Sequence, residues 1–348
     1  MIPLNRNSIL TILSILLILL FVWYSNSHLS AYAIRIWEDT AIFLMLAASY
    51  NLINGVTGQF SLEPNGFVAI GAYVTAILIL TPAQKDAMFI IEPMVPWLRN
   101  LHMSFFPALL IGGIVTAFVA FLLGFPVFRV RGDYLAIVTL GFGLTIRVVS
   151  NNTITITNGS LGLKGLPTYT NPWWCWGWAL VAMIIIMRIV FSAYGRAMKA
   201  IRDDEDAAIA MGINTFWIKM IAFVAAGFFE GVGGGLLASL ITIISPTMFT
   251  FFLTFELLII IVVGGLGSMT GTAIATILVV WGSEILRFVE QPMNIFGLHI
   301  PGIPGMRMVV FSVLLIVIMI FAREGIMGQK EFSWDALFNL FKKKAKTV

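Results

Sequence analysis

Ten long apolar stretches, separated by polar loops, constrain this chain more than any other feature of its sequence. A helix that crosses the roughly 30 Å hydrocarbon layer of a bilayer needs about 20 mostly apolar residues. Only 11% of the 348 residues are charged, against about 25% in soluble domains, which excludes a soluble enzyme, a nucleic-acid-binding protein and a disordered chain. We predict spans at 8–24, 36–53, 66–80, 105–123, 134–149, 173–191, 220–240, 252–264, 271–289 and 305–322.

The apolar stretches lack the alternation that a β-barrel strand requires. Helices and closed barrels are the two structures that satisfy backbone groups in lipid, so we predict an all-α, polytopic membrane protein. Cytoplasmic loops carry an excess of Lys and Arg. If ten spans alternate in direction, the basic loops after the fourth and sixth segments lie on one side of the membrane, together with the basic tail and Arg6. Both termini are therefore predicted to be cytoplasmic, with a transmembrane domain at 1–325 and a basic amphipathic tail at 326–348.

Glycine, proline and polar residues interrupt the chain before the third segment and after the eighth. Paired breaks of this kind in two halves of a chain point to a transport pathway, because broken helices expose backbone N–H and C=O groups. We therefore predict a substrate pathway, with tight turns that contact no substrate as the alternative. Its candidate residues are Gly58, Gln59, Ser61, Glu63 and Asn65 in the first half, and Gly264, Gly265, Gly267 and Ser268 in the second.

Glu230 and Glu256 lie well inside predicted spans, where a charged side chain costs about 2.5–3.5 kcal/mol to insert at the helix centre. Such residues usually face protein or water. Glu256 joins the predicted pathway because it could receive an ammonium group, although a neutral packing role is the alternative. Glu230 lies beside Gly227 and Gly231, whose four-residue spacing favours the close approach of another helix.

The longest polar loop, residues 192–219, is predicted to form two short helices. Arg196, Lys199 and Arg202 are spaced three apart, so they share one side of the first helix. Acidic residues then crowd the start of the second helix, where the helix dipole favours negative charge, and Gly212 ends it as a C-terminal cap. The residues assigned to this element are Arg202, Asp203, Asp204, Glu205, Asp206, Ala207, Ala208 and Gly212.

At this loop the sequence resembles a known family. Asp206-Ala207-Ala208, three residues and then Gly212 resemble the Glu-Ala-Ala-x-x-x-Gly loop of ABC importer permeases, which forms their coupling helix. Three further stretches resemble the M-type permease subunit of high-affinity branched-chain amino-acid importers, and the resemblance covers about residues 35–325. They are Gly58-Gln59-Phe60-Ser61-Leu62 with Ile70-Gly71-Ala72-Tyr73, Arg131-Gly132-Asp133-Tyr134-Leu135-Ala136-Ile137-Val138-Thr139-Leu140-Gly141, and Gly264-Gly265-Leu266-Gly267-Ser268.

The resemblance implies a permease subunit in the bacterial inner membrane that imports leucine, isoleucine and valine. It implies an H-type sister permease, two ATP-binding subunits that use ATP and Mg, and an extracytoplasmic binding protein as partners, besides the lipid bilayer. The chain has no G-x-x-x-x-G-K-[ST] phosphate-binding motif, so we predict that it is not an enzyme and binds no cofactor. The alternatives are import of urea or short amides by the same family, and an ion-coupled secondary transporter.

Two positions depart from the pattern of the family. Its members commonly carry Gly-His where this chain has Glu63-Pro64, and a small residue where it has Glu230. The choice of substrate is therefore the part of the resemblance that transfers least.

Overall fold

The computed structural model describes residues 6–129, 134–290, 293–295, 298–300 and 324–334, with isolated residues between 306 and 320. Its α-helices are α1 (Arg6–His28), α2 (Ala31–Asn51), α3 (Pro64–Ile79), α4 (Pro82–Met88), α5 (Pro96–Arg99), α6 (Phe105–Val127), α7 (Tyr134–Asn152), α8 (Ile154–Thr157), α9 (Pro172–Phe191), α10 (Ala193–Asp203), α11 (Glu205–Ala210), α12 (Thr215–Ile241), α13 (Phe251–Gly264) and α14 (Met269–Ile285). The all-α prediction is confirmed.

Short non-α elements complete the described part. Strand β1 (Leu163–Lys164) pairs antiparallel with β2 (Ile243–Ile244), and β3 (Met293–Ile295) pairs antiparallel with β4 (Leu298–Ile300). Each pair is too short to form a sheet of its own. One π-helical turn (Leu52–Val56) and two 3-10 turns (Gly159–Leu161 and Leu286–Glu290) are also present.

The first nine predicted spans each coincide with a helix. Within the described residues, α6, α7, α9 and α12 are long and apolar enough to cross a membrane. The pair α3 and α4, bent by 117°, gives a fifth span if it crosses as one unit, and α13, α14 and Leu16–Ser25 are shorter apolar helices. The total of ten spans and the cytoplasmic placement of both termini stay predictions.

Helix α12 forms the centre of the bundle and packs against α2, α3 and α6. Its predicted glycine stripe allows this contact: a Cβ on Gly231 would lie 2.4 Å from Oγ1 of Thr116 in α6. On the α3 side, a Cβ on Gly71 would lie 2.0 Å from the carbonyl oxygen of Gly231. The backbones of α3 and α12 therefore touch, and any larger residue at these positions would force them apart.

Helices α4 and α5 form a compact loop between α3 and α6. Lys85 is buried and donates hydrogen bonds to the carbonyl oxygens of Leu98, at 2.8 Å, and Leu101. The Arg99 guanidinium donates two hydrogen bonds of 2.7 Å to Asp86, and these hold the pKa of the Asp86 carboxyl below its usual range. The two cations thereby fix α5 against α4.

Several predictions fall outside the described residues. They concern Arg131, Gly132 and Asp133 of the family-like motif, most of the tenth span at 305–322, and the tail beyond residue 334. The segment 324–334 is described, and it extends across the predicted domain boundary at 325/326.

Candidate functional site

The polar loop forms the two predicted helices, α10 and α11. Asp203 ends α10, and the Asp204 side chain caps α11 by accepting a 2.9 Å hydrogen bond from the Ala207 N–H. Glu205 and Asp206 lie in the first turn of α11, where negative charge is favoured. Gly212 adopts a positive φ of 81° just beyond the helix, as a glycine C-cap does.

Helix α11 exposes apolar side chains while one ion pair holds it in place. Lys219 near the start of α12 contacts Glu205 at 2.7 Å, and Ala208 is buried. Ile209 and Met211 remain 41% and 83% exposed. Apolar side chains exposed on a charged loop are typical of a surface that another protein covers.

The first break (residues 52–63) and the second break (residues 264–268) lie against each other, joined by Asn51. Its Nδ2 donates to Thr272 Oγ1 at 2.7 Å and to the Ser268 carbonyl at 3.1 Å, and its Oδ1 accepts from the Gly267 N–H at 2.9 Å. A Cβ on Gly55 would lie 2.2 Å from the Gly267 nitrogen. We call this junction of the two breaks the hinge.

Arg202 connects the loop helices to the hinge. Its guanidinium donates to the Gly55 carbonyl at 3.3 Å and to Gln329 Oε1 at 3.2 Å, besides an ion pair with Asp203 at 2.9 Å. A methyl group at Gly58 would lie 2.4 Å from Cγ of Arg202. The side chain thus contacts the first break and the segment 324–334 at once, and a displacement of α10 must disturb both.

The segment 324–334 lies on the second break. The Ile326 N–H donates to the Val263 carbonyl at 2.8 Å, and Ser268 Oγ donates to the Lys330 carbonyl at 2.8 Å. The Glu331 carboxylate accepts from the N–H groups of Met269, at 2.7 Å, and Thr270, at 3.0 Å. These two N–H groups lie in the first turn of α14, where they have no partner within the helix. Glu331 therefore caps α14 with a negative charge, which the helix dipole favours.

The predicted pathway residues of the two breaks have different surroundings. Gly58 is exposed and Gln59 is partly exposed at the hinge. Ser61, Glu63 and Asn65 are buried. Gly264, Gly265, Gly267 and Ser268 are also buried, between residues 51–55 and 324–334. Substrate contact by any of these residues stays a prediction.

Glu256 lies away from the hinge, in a pocket between α2, α12, α13 and α14. Glu284, which also lines it, follows Met269 at the hinge by fifteen residues of α14, a rise of about 22 Å. The pocket therefore lies near the opposite end of the bundle. It has a volume of about 290 Å³, and its lining residues are Arg35, Ile36, Asp39, Phe43, Leu237, Ile241, Met248, Phe249, Leu253, Glu256, Val280, Ser283 and Glu284.

This pocket, which we call the charged pocket, carries positive and negative side chains on an otherwise apolar wall. Arg35 lies 3.5 Å from Asp39 and donates to the Leu240 carbonyl at 2.8 Å. Glu284 accepts hydrogen bonds from Arg287, at 2.8 Å, and Tyr32. The arrangement suits a small molecule that carries a carboxylate, an ammonium group and an apolar tail, because each part meets a complementary group.

Sequence reasoning missed several of these residues. Arg35 and Asp39 lie in the first three turns of α2 and Glu284 near the end of α14, where charges usually face water, and no local pattern showed that these two helices bring them together. Asn51 gave a weak signal as an amide at the end of an apolar run. Gln329 and Glu331 gave none, because their partners lie more than 60 residues away in the chain.

Comparison with known proteins identifies transport permeases as relatives of this chain. The LivM permease protein of the high-affinity branched-chain amino acid transport system is 31% identical to this chain in Salmonella typhimurium and 32% identical in Escherichia coli, over 74% of the chain. The chain spans 64% of the length of these two relatives. The Escherichia coli permease protein LivH is 24% identical over 83% of the chain and 92% of its own length. No solved structure matches the chain.

The family described as "Branched-chain amino acid transport system / permease component" matches residues 32–319. This range includes the hinge up to Ser268, the loop helices and the charged pocket. The chain therefore belongs to this family of permease components.

Proposed function

We propose that the chain is the membrane-spanning permease subunit of an ATP-driven, binding-protein-dependent importer of leucine, isoleucine and valine. The charged pocket is the observation that carries the choice of cargo. Arg35 is the candidate partner for the substrate carboxylate, Glu256 for its ammonium group, and residues such as Phe43 and Leu253 for its aliphatic side chain. Urea and short amides carry no net charges and would leave these groups unused.

Loop helices α10 and α11 are the proposed docking site for an ATP-hydrolysing subunit. Arg202, Asp203, Asp204, Glu205, Asp206, Ala207, Ala208 and Gly212 form this element. The exposed apolar side chains of Ile209 and Met211 support this role, as does the contact between Arg202 and both parts of the hinge. A nucleotide-driven movement of α10 would pass through Arg202 to the two breaks and open or close the pathway there.

The remaining partners complete this proposal. A sister permease of H type forms the second half of the pathway, two ATP-binding subunits use ATP and Mg, and an extracytoplasmic protein delivers the amino acid. The chain lies in a bacterial inner membrane with the loop helices in the cytoplasm and the charged pocket towards the outside. An ion-coupled carrier has no use for a docking loop, which disfavours that alternative.

Uptake of labelled leucine into proteoliposomes tests the proposal. The vesicles hold the chain with the subunits encoded beside it, with ATP inside and the binding protein outside. We expect uptake that requires both ATP and the binding protein and that unlabelled valine, but not urea, inhibits. Uptake without ATP would instead establish an ion-coupled carrier, and ATP hydrolysis stimulated by urea alone would replace the cargo.

The pocket assignment is tested in the same vesicles with Glu256→Gln. Loss of a charged hydrogen-bonding partner costs about 1.5–3 kcal/mol, so we expect leucine uptake to fall by about tenfold or more. Glu92→Gln is the matched control, because Glu92 is exposed in the loop between α4 and α5. Equal uptake by both variants would remove Glu256 from the substrate site.

A further inference from the structure

Two glutamates and a tyrosine lie together where α2, α3 and α12 meet. Glu63 directly precedes α3, Glu230 lies in the middle of α12, and Tyr50 lies in the last turn of α2. The charges of both carboxyl groups act on the Tyr50 phenol, and the charge of Glu63 acts on Glu230. The three groups therefore form one electrostatic cluster.

Contacts of neighbouring glycines confirm where Glu230 lies. On α12, a Cβ on Gly227 would lie 3.6 Å from the ring of Phe67 in α3, and one on Gly233 would lie 2.5 Å from Leu46 in α2. Glu230 lies between these two glycines, on the part of α12 that α2 and α3 cover.

Both carboxyl groups are fully buried and lack hydrogen-bond donors. Glu63 and Glu230 are each 0% exposed, and none of their four oxygens has a hydrogen-bond partner among the described residues. The nearby Tyr50 hydroxyl is already committed, because it donates to the Ser61 carbonyl at 2.7 Å. In the described part of the chain, no Lys, Arg or His acts on either carboxylate.

Such a pair cannot carry two charges. An isolated carboxylate buried in a protein costs several kcal/mol and usually takes up a proton instead, and two neighbouring carboxylates cannot both ionise without strong repulsion. Ca²⁺ or Mg²⁺ would need about six or more oxygen ligands, whereas the backbones of α3 and α12 touch close by at Gly71 and Gly231. A proton needs only one carboxyl oxygen.

We propose that Glu63 and Glu230 together form a proton-binding site inside the transmembrane bundle. At least one of the two carboxyl groups keeps its proton at neutral pH, so the pair carries at most one negative charge. When the proton leaves to water, two negative charges face each other and push α12 away from α3.

The site is connected mechanically to the loop helices. Glu230 lies on the same helix as Lys219, whose ion pair with Glu205 fixes α11 to the start of α12. A movement of α12 that separates Glu230 from Glu63 lowers the repulsion between the two carboxylates, so it weakens the hold on the proton. Proton occupancy and the position of α12 are therefore linked, and each biases the other.

Infrared spectroscopy of the full-length chain in lipid nanodiscs tests the proposal directly. We expect the wild-type protein at neutral pH to show the C=O absorption of an un-ionised carboxylic acid, which shifts in D₂O and disappears at high pH. The double variant E63Q/E230Q should lose this absorption, and either single variant should change its frequency, because an amide replaces the carboxylate partner. Glu92→Gln, which removes an exposed carboxylate, should leave it unchanged.

Thermal unfolding supplies a second measurement with the same proteins. The wild-type melting temperature should fall as the pH rises above neutral, because the folded state must then hold two buried charges. The fall should be smaller in E63Q/E230Q and unchanged in Glu92→Gln. Replacing Na⁺ by choline should alter neither result.

Two outcomes would overturn the proposal. An infrared spectrum without an un-ionised carboxylic acid at neutral pH, or one in which E63Q/E230Q retains the full absorption, would show that the pair holds no proton. A melting temperature that rises with Na⁺ concentration in the wild type but not in the double variant would assign the pair to a metal cation. Neither measurement requires the protein to transport leucine, so this proposal can fail independently of the proposed function.

Discussion

Arg202 is the residue on which most of the proposed coupling depends. Its planar guanidinium reaches the Gly55 carbonyl, Gln329 and Asp203 at the same time. A lysine carries the same charge but has a single ammonium group without the fixed fork of donors. The geometry at this position therefore requires arginine rather than positive charge alone.

Arg202→Lys should uncouple ATP hydrolysis from uptake. We expect the complex to hydrolyse ATP while leucine uptake falls by about tenfold, since charged hydrogen bonds of about 1.5–3 kcal/mol are lost at the hinge. Parallel assays of hydrolysis and uptake in proteoliposomes measure the ratio. Arg188→Lys, at an exposed position near the end of α9, should keep that ratio, and an unchanged ratio in Arg202→Lys would contradict the coupling role.

Gly265 is the second position at which the structure requires one particular residue type. It has a φ of 111°, and a Cβ there would lie 2.3 Å from the Gly328 carbonyl oxygen. A non-glycine residue with such a backbone angle costs about 1–3 kcal/mol. Gly265→Ala should therefore displace the segment 324–334 and abolish uptake, while the complex still assembles.

Purification of the complex together with an uptake assay checks this expectation. Gly141→Ala is the matched control, because no atom lies within 4 Å of a Cβ at that position in α7. Normal uptake by Gly265→Ala would show that the second break tolerates a side chain and need not be held by the segment 324–334.

At the scale of elements, the sequence predicts helices well and contacts between them poorly. Long apolar runs locate the helices, and the acidic residues and Gly212 locate the two ends of α11. Helix α12 nevertheless begins at Thr215 rather than at residue 220, because Asn214 accepts a hydrogen bond from the Trp217 N–H and caps a longer helix. No local pattern reveals that Asn51 and Ser268 meet.

The sequence predicts an amphipathic tail at 326–348, and the segment 324–334, which includes its start, caps α14 through Glu331 and contacts Arg202 through Gln329. Such contacts join residues far apart in the chain, so no periodicity encodes them. The charged pocket was missed for the same reason. The sequence located the two breaks, but it gave no indication of which residues in them are buried.

Two truncations separate the contributions of this segment. A chain that ends at residue 334 keeps Gln329 and Glu331 and should retain leucine uptake within about twofold. A chain that ends at residue 323 loses both, together with the cap of α14, which is worth about 0.5–2 kcal/mol, and should lose most uptake. If both truncated proteins transport equally well, the segment has no part in the hinge.

On the scale of the whole molecule, the hinge and the charged pocket lie at opposite ends of α2 and α14. The proposed pathway, which opens alternately to each side, requires this separation: one end would admit the substrate and the other would respond to the ATP-binding subunits. The orientation of the bundle then decides which side each end faces, and thiol labelling can measure it. Cys175 is the only cysteine of the sequence and is buried, so new cysteines report without interference.

Two single-cysteine variants should label from opposite sides of the membrane. Ser283→Cys in the charged pocket should react with an impermeant thiol reagent in intact cells. Met211→Cys, at a position that is 83% exposed on the loop, should react only in inverted vesicles and should be protected once the ATP-binding subunits assemble. Labelling of Met211→Cys from outside would reverse the proposed topology.

The position of Gln329 and Glu331 in the chain has a consequence for biosynthesis. A ribosome translates Asn51, Arg202 and Gly267 long before it reaches these two residues, so the hinge is inserted in the membrane without its final contacts. Arg202 and the free end of α14 acquire them only after the last predicted span has been made. In a nascent chain the proposed docking loop thus contacts the hinge through Gly55 but not through Gln329. An ATP-binding subunit that bound before synthesis ends would act on an incomplete hinge.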